Sequence, residues 1–71
     1  MATATLKVSG MTCQHCVRAV REALEGQDGV HSADVDLTAG RAVVEYDEDR
    51  VSPEALAGAV AEEGYQAEPQ N

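Results

Sequence analysis

The sequence predicts one small α+β domain, a four-stranded antiparallel sheet with two helices on one face, in the order strand, helix, strand, strand, helix, strand. Three observations carry that prediction. Stretches of period-two apolar alternation are interleaved with two stretches of helical periodicity, giving two similar halves. The two middle strands are joined by only Thr38-Ala39-Gly40, a link short enough for a hairpin. Glycines stand at the boundaries of the periodic stretches, at Gly10, Gly26 and Gly64. The domain is expected to span residues 1–71, with an ordered core from about 3 to 67 and no linker or second unit.

Each element has its own signal. Ala4, Leu6 and Val8 alternate with Thr5 and Lys7, the pattern of a half-buried strand, and Gly10 ends it. Val17, Val20 and Leu24, with Ala23 beside them, form the apolar stripe of the first helix. Arg18 and Arg21 each precede a glutamate by four residues, Glu22 and Glu25, and Gly26 is the stop. Val30 to Leu37 and Arg41 to Tyr46 form the hairpin, with Ala33, Val35 and Leu37 on one face and Ala42, Val44 and Tyr46 on one face of its mate. Ser52-Pro53 reads as an N-cap followed by proline at the first helical position. Leu56, Ala59 and Val60 are the buried stripe of the second helix, weakened by Gly58. Tyr65 to Ala67 supplies a short last strand, and Glu68 to Asn71 is expected to fray.

Composition excludes several functions. The formal net charge is -8 with only five Lys and Arg residues, so the chain lacks the basic face that phosphate backbones require. With no Trp and no Phe the core must be aliphatic. No apolar run is long enough to span a bilayer, so direct membrane insertion is not expected. The N-terminus MATATLKVSG lacks the apolar stretch of a secretory signal, which makes the cytoplasm the expected location and a free-standing protein the expected form.

The chemistry is concentrated in Gly10 to Cys16, GMTCQHC, which holds both cysteines and one of the two histidines. A Cys13–Cys16 disulfide closes too small a loop to stabilise much, so the pair is there for its thiols. Thr12 is a plausible N-cap, placing both cysteines in or beside the first turn, where free N–H groups and the helix dipole favour thiolates. Two soft sulfurs three residues apart suit a soft ion that accepts two ligands, Cu(I) or Hg(II), with Cu(I) the better fit. Structural zinc wants four ligands, and no second pair at finger spacing exists. Iron–sulfur clusters need more cysteines, and haem attachment needs His where Val17 stands. His31, at the start of a strand, reads as structural or solvated.

The segment GMTCQHCV, the hairpin GVHSADVDLTAGRAVVEYD and the closing EEGY together resemble a heavy-metal-associated domain, most closely the free-standing bacterial copper chaperones, over nearly the whole chain. The resemblance implies a ferredoxin-like fold that binds Cu(I) through Cys13 and Cys16. It also implies transfer of the ion to the metal-binding domains of a copper-transporting P-type ATPase, and the option of a copper-bridged homodimer. Around the ligand pair it places Met11 as an anchor of the loop in the core, and Tyr65 as a neighbour that shields or hydrogen-bonds a thiolate. His15, between the cysteines, is expected to tune the thiols more than to ligate. Cys13, in the loop, should be the more exposed thiol. The protein is then a carrier and not an enzyme. Two rivals keep the thiol pair: a thiol–disulfide oxidoreductase with Cys13 as nucleophile, and a mercury-binding or ATPase-derived domain of the same fold. The hairpin directly after the first helix argues against a thioredoxin-like start.

Overall fold

The period-two and helical patterns become, in chain order, β1 (Ala2–Ser9), α1 (Gln14–Glu25), β2 (Val30–Asp36), β3 (Arg41–Tyr46), α2 (Pro53–Glu62) and β4 (Gln66–Gln70). This is a computed structural model, and it describes residues 1–70. The strands form one antiparallel sheet in the order β2-β3-β1-β4, the ferredoxin-like βαββαβ arrangement the sequence predicts.

One face of the sheet carries the core. Ala4, Leu6 and Val8 of β1, Ala33 of β2, and Ala42, Val44 and Tyr46 of β3 are buried against Val20 and Leu24 of α1 and Leu56 and Val60 of α2. The alternation that made these stretches read as strands is therefore the alternation between a helix-covered and an uncovered face. Removing so much aliphatic surface from water is the main driving force available to a chain with two aromatic residues.

Local chemistry fixes the connections. Ser52 Oγ accepts a hydrogen bond from the Ala55 amide at 3.2 Å, so α2 starts with the expected cap and with proline in its first turn. In the β2–β3 turn Asp36 Oδ1 accepts from the Ala39 amide at 3.1 Å. Gly40 turns there at φ 64 and its carbonyl accepts from the Val8 amide at 2.8 Å. At the opposite end Arg50 bridges Asp28 at 3.1 Å and Asp47 at 3.9 Å, joining the loop before β2 to the loop after β3. Gly29 sits under that clasp at φ 97, where a Cβ would lie 2.7 Å from Arg50 Cβ. His31 is exposed, at the register shift between Val30 and Ser32.

Five expectations are corrected. The last strand is not confined to Tyr65–Ala67: β4 runs Gln66–Gln70, pairing Glu68 with Lys7, Pro69 with Leu6 and Gln70 with Thr5. Of the expected frayed tail, Glu68 to Gln70 is strand and Asn71 lies outside the described residues. Leu37 leaves β2, which ends at Asp36, because the Asp36 side chain closes the turn there. Arg21 pairs with Glu25 at 3.8 Å, but among the described residues Arg18 makes no matching pair with Glu22. Finally, Thr12 does not cap α1; that position belongs to Cys13.

Candidate metal site

The loop from Gly10 to Cys13 joins the end of β1 to the start of α1. Gly10 turns it at φ 97, and a Cβ at that position would meet Tyr65 Cδ1 at 3.5 Å. The first loop residue is therefore laid against the residue that precedes β4. Met11 is half-buried and packs against the core cluster, as does Tyr65. That packing is the physical content of an anchor: the thioether fills an irregular gap under the loop and fixes where the next residues emerge.

Cys13 takes the N-cap position in extended conformation, φ -157 and ψ 174, and its side chain makes no capping hydrogen bond. Its carbonyl oxygen instead accepts from the amides of Cys16 at 3.1 Å and Val17 at 3.3 Å. The Cys13 sulfur is thus left to solvent, and the residue is exposed while Cys16 is half-buried. Their sulfurs stand 3.6 Å apart, both thiols free. With metal–thiolate bonds of about 2.3 Å, that separation lets one ion touch both.

Thr12, freed from capping, turns its hydroxyl to 3.8 Å from the Cys16 sulfur. This contact was not foreseen in the sequence, although the spacing of four residues was a readable hint. It belongs to a larger effect. The Cys16 thiol is lowered from the ordinary 9.0 to about 6, first by backbone hydrogen bonding from Thr12, then by the Tyr65 and Cys13 side chains, against an opposing contribution from desolvation. Tyr65 shows the reciprocal change: its phenol is raised, first through Cys16, then by burial and by the negative charges nearby. The contacts that meet hydrogen-bond geometry at the Cys16 sulfur are those of Thr12 and Cys13, so Tyr65 acts on it without a closed hydrogen bond.

His15 is exposed in the first turn of α1 and is not among the groups acting on Cys16. Among the described residues no cluster of three or more His, Cys, Asp or Glu side chains is placed to hold an ion. The arrangement is a pair of soft donors, one on the exposed loop and one in the first turn of α1, the latter an acidified thiol with Thr12 and Tyr65 beside it.

The whole chain can also be compared with known proteins. The model of the heavy-metal-associated domain family matches residues 5–66. The copper chaperone CopZ of Staphylococcus saprophyticus is 46% identical over 65 residues, covering 92% of this chain and 96% of the relative. Among solved structures, a copper binding domain from HMA7, a P-type ATPase, superposes with a TM-score of 0.98 at 34% identity, covering 100% of this chain and 96% of that one. Oxidized MerP from Ralstonia metallidurans CH34 superposes with a TM-score of 0.94 at 36% identity, covering 99% of this chain and 97% of that one.

Proposed function

The chain belongs to the heavy-metal-associated domain family, and on that footing we propose that it is a copper chaperone: a cytoplasmic carrier that holds Cu(I) between Cys13 and Cys16 and gives it up by ligand exchange. The observation that carries the reading is the pair of sulfurs 3.6 Å apart where the loop enters α1, with no His, Asp or Glu among the described residues grouped with them to hold an ion. Two thiolates satisfy a soft monovalent ion and leave it open on one side. A partner thiolate can attack there, and each copper–sulfur bond is replaced as the next one breaks, the same logic as thiol–disulfide exchange. A closed four-ligand cage would forbid that approach.

Cys13 is the thiol a partner meets first, because it is the exposed one. Cys16 forms its thiolate well below the ordinary thiol range in the metal-free chain, because Thr12 and Tyr65 stabilise its charge. The receiving partner is a copper-transporting P-type ATPase with domains of this same fold, a reading supported by the likeness to the HMA7 domain. The exposure of Cys13 equally supports two copies sharing copper. His15 has no contact that gives it a part in holding the ion, so Tyr65 and Thr12 carry the tuning.

Anaerobic titration of the reduced protein with Cu(I) against a competing chelator tests the proposal. Wild type should hold copper while Cys13→Ser and Cys16→Ser lose it; equal retention by either variant would sink the reading. Insulin reduction tests the oxidoreductase rival, and sustained turnover would favour it.

A further inference from the structure

Thirteen carboxylates outnumber five cations in this chain, yet two of the five are placed side by side. Lys7 and Arg41 are register partners on β1 and β3, the two interior strands of the sheet. Both are exposed, and both alternate with buried residues (Leu6 and Val8, Ala42), so they stand on the face that no helix covers. Like charges directly opposed across a strand pair are destabilising unless something neutralises them.

The flanking carboxylates stand in the same row but close no ion pair with either cation. Read across the strands, the row is Asp36, Arg41, Lys7, Glu68. The Asp36 carboxylate is turned into its own turn, accepting from the Ala39 amide at 3.1 Å. Glu68 holds the register position beside Lys7 without forming an ion pair. Among the described residues the ion pairs involve Arg21 and Arg50 alone. Lys7 and Arg41 also share an open cleft of about 360 Å³ with Thr5, Ala39, Gly40 and Gln70. Thr5 and Gln70 are themselves register partners, bringing a hydroxyl and a side-chain amide to the same cleft.

We propose that this cleft on the uncovered sheet face is a binding site for a phosphate-type dianion, held by Lys7 and Arg41 with Thr5 and Gln70 as neutral donors. Two adjacent cations call for two negative charges, which a phosphate supplies and a single carboxylate does not. The planar guanidinium matches two phosphate oxygens and the ammonium takes a third. Glu68 and Asp36, one strand away on either side, compete with a bound anion, while charges farther off are screened beyond about 8 Å at physiological salt. The site lies outside the cysteine pair and needs no metal.

The test follows backbone amide NMR shifts of the reduced, metal-free protein. The probes are inorganic phosphate and glycerol 3-phosphate, each compared with chloride at matched ionic strength. Saturable shifts are expected at Thr5, Lys7, Gly40, Arg41 and Gln70 with both phosphates and not with chloride. Lys7→Gln and Arg41→Gln should each weaken binding about tenfold, the loss of one charge-assisted contact. Glu68→Gln should tighten it about twofold by removing a competing charge, and Arg21→Gln should leave it unchanged. Lys7→Arg keeps the charge and should retain binding even if Lys7→Gln is poorly folded. Tighter binding of glycerol 3-phosphate would mean the phosphate arrives on a small metabolite, and equal binding that free phosphate suffices. Shifts that chloride reproduces, or that survive Arg41→Gln at full affinity, would overturn the proposal.

Discussion

At the scale of single residues, the acidity of Cys16 makes two predictions. Thiolate absorbance of the metal-free protein should show a step centred near pH 6, far below the ordinary 9.0. Tyr65→Phe should move that step upward, because the phenol is the second-largest of the groups that lower it; an unmoved step would remove Tyr65 from the site. The same shift links to folding. The unfolded chain holds the Cys16 proton up to its ordinary value of 9.0 while the folded chain has released it from about 6. Stability from this group is therefore complete above pH 9.0, and is lost as the pH falls through 6. Chemical denaturation of the reduced, metal-free protein should show its midpoint rising across that window, and the rise should be absent in Cys16→Ser. How far the site was readable also turns on single residues. The soft pair follows from residue type and spacing, the exposed Cys13 from its place in the loop, and Met11 as an anchor from the family resemblance. Thr12 was misplaced because threonine before a helix usually caps it. Here the next residue takes the extended N-cap geometry, and the Thr12 hydroxyl is spent on a sulfur.

At the scale of elements, α2 offers a change in each direction. Gly58 is an exposed interior position of this helix with nothing within 4 Å of an added Cβ. Gly58→Ala should therefore stabilise the protein by about 0.5–1 kcal/mol in urea unfolding. Ser52→Ala removes the hydroxyl that accepts from Ala55 and should cost about 1 kcal/mol by the same measurement. β4 shows where sequence reading stops. Only Tyr65 to Ala67 reads as a strand; Glu68 to Gln70 is polar but for a proline, so nothing local marks it as a strand. It is one because β1 offers an unpaired edge, and the proline is tolerated because β4 is itself an edge strand. Ending the chain after Ala67 should cost about 1–3 kcal/mol, the worth of a few net backbone hydrogen bonds. It should also broaden the amide signals of Thr5 to Lys7.

At the scale of the whole molecule, the fold was legible because the core is simple. One aliphatic face per element, at the right period, admits few arrangements for two helices and four strands, and the βαββαβ order selects among them. What stayed illegible depends on meetings between distant residues: Gly10 against Tyr65, Arg50 against Asp28, Lys7 beside Arg41. The same simplicity leaves little reserve. Leu56 is fully buried, and Leu56→Ala should cost about 2–5 kcal/mol, a large part of the total of about 5–15 kcal/mol typical of a domain. Far-UV circular dichroism on heating should show a much lower melting temperature, and the proposed Cu(I) should restore part of it to the extent that the folded loop holds the ion more tightly than the unfolded chain. The seam between Gly10 and Tyr65 has a further consequence, in the order of synthesis. The cysteine loop leaves the ribosome before the tyrosine and strand that brace it. A half-made chain thus displays two thiols without the phenol that sharpens one of them. The tuned Cys16 thiol is therefore complete only when residues 65–70 have joined the sheet.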